Sequence, residues 1–103
     1  MPLCDRAELP DGLELVRTAG PFDDVTLPAG LRRAHLVADG VWGHLRVLEG
    51  AARLGIETVP PIDRRLEAGD SQPIPPGVRH AVSVDGPVRL AVDFLRRPAG
   101  LVP

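Results

Sequence analysis

Lysine is absent from the 103 residues, so all twelve basic side chains are arginines. That excludes a lysine Schiff base, a lysine general base and a P-loop lysine. The single cysteine, Cys4, cannot form an internal disulfide, and its place near the N-terminus argues against a buried nucleophile. No apolar run approaches the roughly 20 residues that span a bilayer, and the N-terminus lacks the basic-then-apolar order of a signal peptide. A cytoplasmic location without membrane association is expected. Charge is close to balanced, with a net of −2, which provides no field to attract nucleic acid. Histidine is scarce as well. Only His35, His44 and His80 are present, so an imidazole site has to combine some of these with carboxylates, other polar groups or water.

Proline and glycine, in contrast, are plentiful, at twelve and eleven residues. They are scattered without a repeat and cut the chain into pieces of about five to eight residues, too short for most helices and suited to strands. The length fits a single domain over 1–103, with a loose arm at 1–12 and a tail at 97–103. The expected strands are 13–18, 41–48, 52–59, 64–68, 78–84 and 88–95, while 31–36 reads as either strand or helical turn. The 41–48 and 52–59 segments are expected to form a hairpin about a Glu49-Gly50 turn. Evenly spaced short strands point to an all-β sandwich or closed barrel, because closure removes exposed sheet edges.

The stretch Gly69-Asp-Ser-Gln-Pro-Ile-Pro75-Pro-Gly77-Val-Arg-His80 combines two turn-forming glycines, a proline that fixes φ, and a histidine at the start of the next strand. His80 shares strand parity with Val78, Val82 and Val84, so it faces the interior if they do. By the same parity Val41, Gly43, Leu45 and Val47 face inward, and Trp42, His44 and Arg46 outward. In 88–95, Val88, Leu90, Val92 and Phe94 share one face, and Asp93 shares the other with Arg89 and Ala91. A carboxylate in so apolar a strand is costly unless it is paired or liganding, which makes Asp93 a candidate third ligand. Asp63, Arg64, Arg65 and Glu67 read as a solvated charged face.

The spacing G-x5-P-x-G-x2-H up to His80 resembles the second sequence motif of the cupin superfamily. Leu27-Pro-Ala-Gly-Leu31, His35-x4-Gly40-Val-Trp-Gly43, Val47-Leu-Glu-Gly50 and Val92-Asp-Phe-Leu95 sharpen this to a resemblance to the YeaR/TehB-like small cupin family over about residues 13–97. Members stand alone or are fused ahead of the methyltransferase of tellurite-resistance proteins. The resemblance implies a cupin-like double-stranded β-helix, or jelly-roll barrel. It also implies a divalent metal, whether zinc, iron, nickel or manganese, held by His35 and His80, for which Asp93 is the candidate third ligand, with Trp42 and Gly43 at a ligand pocket. Gly43 stands where the first cupin motif carries its glutamate ligand, so the usual carboxylate is missing. The function implied is a small metal- or small-molecule-binding protein, in a response to tellurite or other oxidants, acting as a homodimer. A metal-dependent dioxygenase or isomerase and an interaction module without chemistry are the alternatives.

Overall fold

A computed structural model describes residues 9–10, 12–27, 40–84 and 86–97, together with the strand path of 35–36. The expected arm and tail lie almost wholly outside these residues, and of the ambiguous 31–36 segment only 35–36 is described, as strand. Among the described residues seven strands run in the order β1 (Glu14–Asp23), β2 (His35–Leu36), β3 (Val41–Ile56), β4 (Ile62–Glu67), β5 (Ser71–Ile74), β6 (Arg79–Ser83) and β7 (Val88–Arg96). All pairings are antiparallel, and the all-β expectation holds among the described residues. No helix among them is long and apolar enough to cross a membrane.

The expected hairpin at Glu49-Gly50 is instead a bend within one 16-residue strand. Residues 41–50 of β3 pair with β7, and 43–46 with β5, giving a first sheet ordered β1-β7-β3-β5. Past the bend, residues 51–56 pair with β4, and 53–56 with β6, giving a second sheet ordered β4-β3-β6-β2. A register shift between Val47 and Glu49 marks a bulge, and Gly50 takes a φ of 74°. An extra residue in one strand reverses which parity faces the core. Gly43, Leu45 and Val47 are buried before it, and Ala52, Leu54 and Ile56 after it. A two-residue turn would have ended the strand, whereas the bulge lets one strand serve both sheets.

The core lies between these two layers. Leu45 and Leu90 come from the first sheet and Leu54 and Leu66 from the second, all with no exposed surface. Burying each contributes about 2–3 kcal/mol relative to leaving it in water. β5 falls inside the stretch read as turn, and its Pro73 is tolerated because β5 is an edge strand. The other edge of the first sheet, β1, carries register shifts at Leu15/Arg17 and Ala19/Phe22 that interrupt its pairing. Arg17 lies over the Phe94 ring, 4.5 Å from its centroid. The strand ends where the Asp23 carboxylate accepts hydrogen bonds from the backbone N–H groups of Thr26 (2.7 Å) and Val25 (2.8 Å). With the Thr26 hydroxyl, these bonds hold Asp23 below the ordinary carboxylate pKa.

Candidate functional site

His80 is placed by the turn that precedes β6, in which Gly77 has a φ of 71°. Its side chain is buried on the same face as Val82, as parity requires, and its Nδ1 lies 3.5 Å from the Val78 carbonyl oxygen. The register of β2 against β6 sets His35 directly across from His80. The row continues through Ile56 to Ile62, so one line of residues crosses β2, β6, β3 and β4. Directly opposed residues of antiparallel strands have Cβ atoms about 4.5–5.5 Å apart and share a face. The two histidines predicted as ligands therefore occupy adjacent register positions, though 45 residues apart in sequence.

Asp93 does not join them. It lies on the outer face of the first sheet, in a row formed by Thr18, Asp93 and His44 across β1, β7 and β3. Arg46 donates to its carboxylate from Nε (2.9 Å) and from Nη2 (3.2 Å), and the Thr18 hydroxyl donates at 2.7 Å. The expected neighbour Arg89 is turned toward Glu49, 4.0 Å away. Burial alone pushes the Asp93 pKa up. The hydrogen bonds from Arg46 and Thr18, with the charges of Arg46 and His44, outweigh it and hold the carboxyl below its ordinary value. The cost of placing a carboxylate in β7 is thus met by an ion pair. Parity explains the separation, since the alternation that turns Val92 and Phe94 inward turns Asp93 out.

Trp42 and Gly43 are consecutive in β3 and therefore face opposite sides of the sheet.

Gly43 is buried against the interior, and Trp42 is partly buried on the outer face, as the strand alternation of β3 requires. His44, beside Asp93, has its Nδ1 3.8 Å from the carboxylate, too long for a hydrogen bond. Burial lowers its pKa, Asp93 raises it and Arg46 lowers it again, and the net effect is downward, which favours the neutral imidazole.

The charged face expected at 63–67 is only partly solvated. Asp63, Arg65 and Glu67 are exposed, but Arg64 pairs with buried Leu54 and so stands on the inward side of β4. Its Nη1 donates to Gln72 Oε1 at 2.6 Å and to the Ser71 carbonyl at 3.3 Å. Gln72 is fully buried and donates from Nε2 to the Pro73 carbonyl at 3.0 Å. These bonds tie an edge of the second sheet to an edge of the first. The period-two alternation Ile62, Arg64, Leu66 carried this signal, but four charged residues in five positions obscured it. Among the described residues, no three His, Cys, Asp or Glu side chains converge as a metal cage.

The family model for the TehB-like domain matches residues 17–92, most of the chain. The chain belongs to the TehB-like domain family. Among solved structures, this TehB-like domain is similar to a protein from Escherichia coli (strain K12), at 24% identity and a TM-score of 0.79, covering 89% of this chain and 98% of that one. It is also similar to TehB from Haemophilus influenzae, at 17% identity and a TM-score of 0.74, over 84% of this chain. Only 32% of that TehB chain is covered, so the present chain spans about a third of its length. A cupin protein from Bacteroides fragilis aligns over 100% of this chain and 86% of its own, at 18% identity and a TM-score of 0.52. At these identities the likenesses show the fold, and they bear out the cupin-like β architecture expected for this TehB-like domain. No curated protein matches the sequence.

Proposed function

We propose that this TehB-like domain is a small binding protein whose site is the histidine pair His35 and His80. One observation carries the reading: the register sets the two histidines opposite each other, with His80 buried on the interior face of its sheet. Two imidazoles suit zinc, nickel, iron or manganese in its divalent form, with the remaining positions left to water or a small molecule. Such a donor set binds weakly, because structural and catalytic sites usually have three or more protein ligands. Asp93 is engaged by Arg46 on the other sheet, and Gly43 brings no carboxylate, so binding is favoured over dioxygenase or isomerase chemistry. A cytoplasmic homodimer acting in a response to tellurite or other oxidants is the setting we propose, on the strength of the family.

Metal content of protein purified without a nickel column, followed by calorimetric titration with each divalent ion, tests this reading. Wild type should bind about one ion per chain, and His35→Ala and His80→Ala should each weaken binding about tenfold or more. Unchanged binding in both variants removes the site. If metal binds, oxygen consumption with candidate thiols and dicarbonyls separates an enzyme from a binder.

A further inference from the structure

The outer face of the second sheet holds a second feature, independent of the histidine pair. Arg65, Arg53 and Ser83 stand in one row across β4, β3 and β6. Like charges directly opposite each other in an antiparallel sheet are destabilising. Here each arginine has a carboxylate partner on a different side of the row. Arg53 donates from Nη1 to Asp63 at 2.8 Å, and Asp63 sits opposite Gly55, one row away. Arg65 donates from Nε to Glu67 at 3.3 Å, and Glu67 sits opposite Ala51, one row away in the other direction. The two guanidinium groups are drawn apart along the strands.

Between them is a recess of about 200 Å³, lined by Ala51, Ala52, Arg53, Arg65, Ser83 and Val84. It adjoins a larger open recess of about 500 Å³ that shares Ala51 and Arg65 and is lined further by Gly50, Glu67, Ala68, Gly86 and Pro87. The small residues Ala51, Ala52 and Ser83 line the depression together with the two arginines. The carboxylates take one nitrogen of each guanidinium, and each guanidinium has five N–H donors in a planar fork.

We propose that the smaller recess binds a small oxyanion of the phosphate class, held between the Arg53 and Arg65 guanidinium groups with the Ser83 hydroxyl as a further donor. Arginine forks match tetrahedral oxyanions bidentately, and a bound anion relieves the opposition of the two like charges. The anion comes either as inorganic phosphate or as the headgroup of a phosphomonoester whose organic part lies in the larger recess. Both arginines are more than half exposed and already face carboxylates, so binding is weak and salt-sensitive.

The test is a backbone amide NMR titration with inorganic phosphate at constant ionic strength, repeated with glycerol phosphate. Saturable shifts confined to 51–53, 65 and 83–84 are expected, with Arg53→Gln and Arg65→Gln each weakening binding about tenfold and Ser83→Ala about threefold. Tighter binding of glycerol phosphate identifies the phosphomonoester as the source, and equal or weaker binding identifies the free anion. The remaining resonances show whether each variant keeps its fold. Shifts no larger than those with sodium chloride, shifts scattered elsewhere, or a folded Arg65→Gln that titrates like wild type overturn the proposal.

Discussion

Replacing Gly50 with alanine separates two costs that glycine substitutions usually mix, provided Gly69→Ala is measured beside it. Both glycines sit at positive φ, 74° and 93°. A Cβ at Gly69 meets nothing within 4 Å, so Gly69→Ala reports the conformational cost alone. That cost is about 1 kcal/mol after allowing for the lower entropy of the unfolded alanine chain. A Cβ at Gly50 would lie 2.1 Å from the Pro87 carbonyl oxygen and 3.0 Å from Val88 Cα. Restoring ordinary contact requires roughly 1 Å of movement between paired backbones, where neither side has a flexible chain end to yield. The shift falls beside buried Val47 and Val88, so the total for Gly50→Ala should reach about 3–5 kcal/mol.

Urea unfolding followed through Trp42, the single tryptophan, provides the assay. With a slope of about 1.2 kcal/mol per molar, the midpoint should fall by roughly 1 M for Gly69→Ala and roughly 3 M for Gly50→Ala. Equal shifts for the two variants would refute the reasoning, because they would mean that the close approach of β3 and β7 at the bend carries no energy.

Three further outcomes follow. The depressed pKa of Asp93 makes its ion pair a source of stability above the ordinary carboxylate value, lost as pH falls through the lower folded value. Asp93→Asn should therefore flatten the acid limb of the stability curve below about pH 4, and an unchanged limb contradicts the Arg46 pairing. The downward shift of His44 gives stability present above 6.5 and lost as pH falls through its lower folded pKa, so an NMR titration midpoint for His44 at or above 6.5 rejects its partly buried placement beside Asp93 and Arg46. Arg64→Leu leaves the buried Gln72 carbonyl without its donor and should cost about 1–3 kcal/mol, whereas adding Gln72→Leu should recover part of that loss. Strict additivity in thermal melts argues against the latch between the sheets.

Much of the fold was legible because alternation and turn chemistry are local. Val88, Leu90 and Val92 on one face and Asp93 on the other, or His80 with Val82, need only a period of two. β5 was missed because Pro73 and Pro75 read as turn residues, and an edge strand tolerates Pro73. Arg64 was misplaced because charge density suggested solvent, while its inward position depends on Gln72 reaching it from another sheet. The bend in β3 was read as a hairpin because Glu49-Gly50 is a good turn signal in either case. What distinguishes the two is the set of strands that flank β3 on each side of Gly50.

The sequence by itself determined an all-β chain, the parity of its strands, the family resemblance that the TehB-like match bears out, and the absence of lysine chemistry. Each follows from residue identity or from spacings of a few positions, where backbone geometry leaves little choice. The tertiary structure decided which residues meet. It set His35 opposite His80, held Asp93 apart with Arg46 and Thr18, and aligned Arg65, Arg53 and Ser83 in one row. Register between strands distant in sequence is a property of sheet pairing, and no local pattern encodes it.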